Sequence, residues 1–328
     1  MPGALEGIRI LDLTRLLPGA VATQKLAEAG AEVIKIEQPG IGDYARESYA
    51  ALFEQTNRGK KSVEIDLKAS KEAFLKLVRA ADVLIEGFRP DVMDRLGLGY
   101  DVLCELNPRL IYVALTGYGP DSLLAGHDVN YLAMSGVLDL IRAEDGRPVI
   151  PGVQIADLTG GSMQAIIGIL LAIVDRHRTG LGQRVDVSMT HGLEVLLPVA
   201  LADAPGAGRR APVLGLLSGR YGCYHVYAAA QNSFVAVGAL EGKFWGNLCR
   251  ELGCEELIEL QFAADQSPVI AAVADKFKIA TAEEWFERIG DRDCCVTPVR
   301  VAAHGAAPLA VSSLGRAPRL GEHNGEFL

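Results

Sequence analysis

No stretch of this 328-residue chain is strongly basic; its 32 lysines and arginines are scattered and outnumbered by 41 acidic residues, for a net charge of −9. Such a surface draws a protein neither to nucleic acid nor to an anionic membrane. Residues 1–7 hold no positive charge and run straight into a strand-like segment, which argues against a signal peptide. The six cysteines, at 104, 223, 249, 254, 294 and 295, lack any Cys-x-x-Cys spacing, and the adjacent Cys294 and Cys295 would join only under strain. Reduced thiols in a cytoplasm fit that pattern. His177, His191, His225, His304 and His323 stand apart from one another and from the cysteines, so no metal site is legible. Aromatic residues make up 6% of a chain that is 49% hydrophobic, which leaves a large aliphatic core and length enough for more than one domain. The longest charge-free apolar stretch, 158–174, falls short of a membrane span and carries glycines at 160, 161 and 168. It reads as a core helix.

The first half alternates strands and helices. Aliphatic runs at 9–13 and 32–36 are separated by a helical segment over 19–29 that Gly30 closes, a βαβ signature. Further runs at 62–67, 83–86 and 110–116 repeat the theme, and a helix over 70–80 places Ala73, Phe74, Leu77 and Val78 on one face. The spacing predicts an α/β fold with a doubly wound, Rossmann-like parallel sheet. No Gly-x-Gly-x-x-Gly follows the first strand, where the sequence is Leu16-Leu17-Pro18-Gly19-Ala20, so a dinucleotide cofactor is poorly supported. Breakers and small residues at 203–212 read as a linker. Beyond it, strands at 223–228 and 234–238 flank a turn at 231–233, and helices follow over 242–252 and 282–289. This predicts a large domain over 1–202, a smaller α+β domain over 213–295, and a return of 296–328 to the large one.

Two segments carry the chemistry. Gly126-His127-Asp128-Val129-Asn130-Tyr131 and Ala156-Asp157-Leu158-Thr159-Gly160-Gly161 each place a titratable group beside glycine and just before an apolar run. A histidine and a carboxylate held this way can take a proton from one face of a carbon and return it on the other. The paired glycines allow close backbone approach to a ligand, and the helix after them offers N–H groups to an oxyanion. Taken singly, each residue also has a plain structural reading. Asp157 is a good helix N-cap, His127 a loop histidine bonded to backbone, and Glu241 a solvated residue at a helix start.

Several further segments, in order along the chain, resemble the family III coenzyme A transferases. They are Leu5-Glu6-Gly7-Ile8-Arg9-Ile10-Leu11-Asp12-Leu13, the run from Gly30 through Glu37-Gln38-Pro39, Lys60-Lys61-Ser62 to Lys68, Asp82 through Glu86-Gly87-Phe88-Arg89-Pro90, Asn107-Pro108-Arg109, and Arg178-Thr179-Gly180 to Gln183. The Gly126-His127-Asp128 turn with Asn130 and Tyr131, and Gly238-Ala239-Leu240-Glu241, are similar to the α-methylacyl-CoA racemase branch. The resemblance implies an isomerase on acyl-CoA thioesters, with no cofactor beyond the CoA of the substrate, in an interlocked homodimer. His127 and Asp157 would flank the α-carbon, and Glu241 would reach the histidine from the partner's small domain. CoA would rest on Ile65, Asp66, Leu67 and Lys68, on Arg89, and on the turn of Gly126, Asp128, Val129, Asn130 and Tyr131. Arg46 and Arg58 are further cations to consider. Gln38 departs from the family's usual arginine, and the segment between Pro298 and Arg316 looks short where the acyl pocket would be shaped. A CoA transferase with Asp157 as nucleophile, and a CoA-binding protein without chemistry, remain as alternatives.

Overall fold

The computed structural model describes residues 3–143, 145–202, 215–302 and 314–328. Six parallel strands form the larger sheet: β1 (Arg9–Leu13), β2 (Glu32–Glu37), β3 (Lys61–Glu64), β4 (Val83–Glu86), β5 (Ile111–Thr116) and β6 (Arg184–Ser188). Their order is β3-β2-β1-β4-β5-β6, the doubly wound arrangement expected. Alternate residues serve opposite faces. Ile10, Val33, Val83, Ile85, Ile111 and Val113 fill one core with helices α1 (Pro18–Glu28) and α5 (Gln164–Thr179). Leu11, Ile34, Leu84, Tyr112 and Ala114 fill the other with α2 (Lys71–Arg79) and α3 (Tyr100–Leu106). Strand β6 has no counterpart in the sequence reading. It lies at the sheet edge, and Arg184 and Asp186 alternate with its valines, which leaves too short an apolar run to stand out.

Strands β1 and β2 and the segment leading into β3 are tied together by buried charge. Asp12 and the side chains of Lys35 and Lys60 are wholly buried. Asp12 accepts from the Thr14 and Thr23 hydroxyls, each at 2.6 Å, and lies 3.3 Å from Lys60 Nζ. Lys60 also donates to Thr23, to Asn57 and to the Ala20 carbonyl, while Lys35 lies 2.9 Å from Asp43 and donates to the Thr14 carbonyl. Burial pushes the Asp12 carboxyl up, but the two ammonium groups and the hydroxyls outweigh it and hold the carboxyl at about 2. Burial is also the largest influence on Lys60, which it pushes down to about 8 against the pull of Asp12.

The helix expected to be pure core is so on one face only. Ala165, Ile169, Ala172, Ile173 and Arg176 of α5 pack inward, whereas Ile167, Leu170, Leu171 and Val174 face out, Leu171 65% and Val174 67% exposed. With the π-helical turn before it the helix runs from Ala156 to Thr179, long and apolar enough by length and composition to cross a membrane. Its buried Arg176 is paired with Asp82 at 2.9 Å and donates to the Arg109 carbonyl, which fastens the inner face to the sheet.

The chain divides into Met1–Pro198 with Ala307–Leu328, and Val199–Ala306. The second unit holds the antiparallel strands β7 (Tyr224–Ala228), β8 (Phe234–Gly238) and β9 (Val296–Pro298). Its helices include α6 (Gly242–Leu252), α7 (Ser267–Phe277) and α8 (Ala282–Ile289). The expected return to the large unit at 296 is therefore too early, because 296–298 pair with β8 as the third strand of the small sheet. The 203–212 linker lies outside the described residues. Helix α8 is set by a capping box in which Glu284 N donates to Thr281 Oγ1 and Thr281 N to Glu284 Oε2. Around it the polar atoms of the aromatic core are satisfied, with Trp245 donating to Leu257 O, Trp285 to Phe277 O and Tyr227 to Gly222 O.

Removing one member of a buried ion network leaves the others uncompensated, which costs more than the pair itself is worth. Asp12→Ala is expected to lower unfolding stability by about 3–5 kcal/mol. Urea unfolding should show this as a lower midpoint with little change in slope.

Candidate active site

The strand order reverses between β1 and β4, and a cleft opens there at the carboxyl ends of the strands, as in other doubly wound sheets. Its main arm, about 730 Å³, is lined by residues that include Arg15, Phe88, Arg89, Tyr118, Gly126, His127, Asn130, Tyr131 and Met189. A second arm of about 330 Å³ is lined by Gln38, Ile65, Asp66, Leu67 and Lys68 among others. The two share Leu13, Arg15 and Phe88. The loop after β4 is fixed by Glu86, whose carboxylate accepts from Phe88 N at 2.7 Å and from Tyr112 OH at 3.3 Å; burial pushes that carboxyl up to about 7.

His127 is exposed and stands at the N-cap of α4 (Asp128–Ser135), with its own N–H donating to Asn130 Oδ1 at 3.1 Å. The turn before it is shaped by two rings. Tyr131 is buried and donates to the Gly126 carbonyl at 2.5 Å, and Tyr118 packs edge-on against it, ring centres 5.1 Å apart. A Cβ at residue 126 would lie 2.4 Å from Tyr118 OH, so this glycine is required by packing. Asp157 is the second residue of the π-helical turn Ala156–Met163, and its N–H donates to Asp128 Oδ1 at 2.8 Å. The residue after His127 thus grips the backbone of Asp157 and joins the two loops, although Asp157, unlike His127, is not among the residues lining either arm. The N-cap position of this turn is Ile155 and no side chain caps it, so the Asp157 side chain does not serve as the cap. Burial, with the charge of Asp128 adding to it, pushes the Asp157 carboxyl up to about 7. Tyr131 is pushed up to about 12 by burial and by Asp157.

Other expectations are sorted by the same geometry. Ile65, Asp66, Leu67 and Lys68 form one wall of the short arm, where Asp66 accepts from Lys68 N at 2.8 Å. Arg89, Gly126, Asn130 and Tyr131 line the main arm. Asp128 and Val129 do not line it; Asp128 is occupied with Asp157, and both are half-buried at the helix start. Glu241 lies in the second unit, exposed at the N-cap of α6. Arg46 lines neither arm; its guanidinium lies 2.6 Å from Glu37 and over the ring of Phe53. Arg58 lies 3.5 Å from Glu54 and lines neither arm. The Gly160 and Gly161 pair is explained by packing instead of ligand approach. A Cβ at 160 would meet the Met189 carbonyl at 2.1 Å, and one at 161 would meet Met189 and Pro18 at about 3 Å. Arg15, Asp128 as the clasp on Asp157, and Phe88 escaped sequence reasoning. The usable signal for Arg15 was its place in the first βα loop, where doubly wound folds meet their ligands.

A family model described as CoA-transferase family III matches residues 5–312. The α-methylacyl-CoA racemase of Homo sapiens is 35% identical, covering 99% of this chain and 92% of its own length. The acetyl-CoA:oxalate CoA-transferase of Acetobacter aceti is 37% identical, covering 93% of this chain and 82% of its own. A CaiB/BaiF family protein from Brucella suis superposes with a TM-score of 0.84 at 25% identity, over 99% of this chain and 98% of that one.

The raised Asp157 carboxyl has a consequence for stability. Its folded pKa of about 7 exceeds that of an unfolded aspartate, so its contribution is fully present below about pH 4 and is lost as pH rises through 7. Asp157→Asn cannot ionise. It should therefore be more stable than the parent at pH 8, by about 1–2 kcal/mol once partial solvent screening is discounted. Thermal unfolding at pH 4 and pH 8 checks this, with the advantage expected only at pH 8.

Proposed function

The chain belongs to CoA-transferase family III, and we propose that it is a racemase that inverts the α-carbon of 2-methylacyl-CoA thioesters by two-base proton transfer through an enolate. The observation that carries this reading is the clasp between the His127-Asp128 turn and the Asp157 backbone. It supports a histidine and a carboxyl acting at one carbon, and a carboxyl near neutrality suits both removal and return of a proton. On this reading CoA enters as part of the substrate and no separate cofactor takes part. A second reading, a CoA transferase in which Asp157 attacks the thioester and carries the acyl group as a mixed anhydride, draws support from the transferases among the relatives. The histidine beside Asp128 favours the first, since the transferase step has no need of it.

The racemase reading includes an interlocked homodimer. Glu241 of the partner subunit would orient the His127 ring and favour its charged form, as a triad acid does. The outward apolar face of α5, with Ile167, Leu170, Leu171 and Val174, is the kind of surface that a second copy would cover.

In deuterated water, a 2-methylacyl-CoA should exchange its α-proton without any acceptor acid. His127→Ala should slow that exchange by about 10²-fold or more while leaving CoA binding nearly intact. An aspartyl adduct trapped by hydroxylamine, with CoA passing to a free acid and no exchange, would instead establish the transferase.

The assembly is tested by complementation. His127→Ala and Glu241→Ala chains, each inactive alone, should recover part of the activity when refolded together, because one of the two shared sites in a mixed dimer keeps both residues. A fully active monomer in sedimentation would exclude this arrangement.

A further inference from the structure

The two arms of the cleft meet at Leu13, Arg15 and Phe88, and of these three only Arg15 is charged. Its guanidinium is already placed. Nη1 donates to Tyr44 OH at 2.8 Å, and the group lies 4.9 Å from the centre of the Tyr44 ring and 5.7 Å from that of Phe88. Among the described residues no carboxylate pairs with it, whereas Arg46 and Arg58 are both engaged by glutamates. The backbone beneath it is equally fixed. Leu16 adopts the left-handed conformation at φ 60°, and its N–H donates to Asp43, which the buried Lys35 holds at 2.9 Å. A half-buried cation with no carboxylate partner among the described residues, on a loop held by hydrogen bonds, where two arms of a cleft meet, is a site for an anion.

We propose that Arg15 binds the diphosphate of the CoA thioester. This rests on the reading that the cleft takes an acyl-CoA. Coenzyme A has its nucleotide at one end, its thiol at the other and the diphosphate between them. With the thioester at His127, the pantetheine arm occupies the main arm, and the nucleotide falls into the short one against Ile36, Ile65 and Leu67. The diphosphate then crosses the junction, where the fork of Arg15 meets it. The assignment also explains how the chain tolerates glutamine at position 38. The rim of the short arm keeps Lys68 for the 3′-phosphate, and the cation that serves the diphosphate comes from the first βα loop.

Calorimetry with CoA, dephospho-CoA and S-acetylpantetheine distinguishes the possibilities, the unfolding midpoint of each variant being measured alongside. The first two ligands carry the diphosphate and the third does not. Arg15→Gln should weaken CoA and dephospho-CoA by the same factor, about tenfold or more, and leave S-acetylpantetheine unchanged. Arg15→Lys should recover part of the loss. Unchanged CoA affinity in Arg15→Gln would overturn the proposal. An equal loss for all three ligands would also overturn it, since the residue would then act through the shape of the loop. If the parent protein itself fails to bind CoA, the acyl-CoA reading falls and the role of Arg15 falls with it.

Discussion

The cluster of Asp12, Lys35, Asp43 and Lys60 is the constraint on which the rest of the large unit depends. Two ammonium groups and two carboxylates are withdrawn from water; the lysines donate to carbonyls and a hydroxyl, Asp12 accepts from two threonine hydroxyls, and Asp43 accepts from the Leu16 and Ala45 N–H groups. Such a network adds little net stability over an apolar core of the same shape, but it tolerates few arrangements. Lys60 reaches the first turn of α1 through the Ala20 carbonyl, and Asp43 reaches the loop after β1 through Leu16 N. The cleft wall that carries Arg15 is thus set by charges that never touch the cleft.

A second, smaller constraint organises the chemistry. Asp128 would ordinarily be a favourable acid at the start of a helix. Here it also accepts the Asp157 amide, and its negative charge adds to burial in keeping the neighbouring carboxyl protonated to higher pH. One residue therefore both joins the two loops and tunes the group it joins. A racemase and a CoA-transferase both stand among the relatives of this chain, at 35% and 37% identity. A carboxylate beside a thioester can act either as base or as nucleophile.

The outward face of α5 bears on how the fold is read from its sequence. A helix that buries Ala165, Ile169 and Ala172 against the sheet and leaves Ile167, Leu171 and Val174 uncovered has two apolar faces. Its sequence is apolar all round, which is why it reads as core; which face meets the sheet is settled by Arg176, whose buried guanidinium pairs with Asp82.

The sequence by itself determined the parallel sheet and most of its boundaries, since strands buried on both faces are near-continuous aliphatic runs and their helices carry one apolar stripe. It likewise determined the small-unit elements at 234–238, 242–252 and 282–289, where a turn, a glycine stop and a capping box mark the ends. His127 and Asp157 could be named because their loops hold glycine and titratable groups together. Tertiary structure alone decided the edge strand β6, the late departure from the small sheet at β9, and which arginines pair with carboxylates among the described residues. Arg15, Arg46 and Arg58 are indistinguishable by type, and only folding shows that glutamates engage the last two. The clasp of Asp128 on Asp157 spans 29 residues of chain. Periodicity reports which face of an element is buried, but a hydrogen bond between two loops depends on where the sheet delivers their ends, and that is known only once the strands are in order.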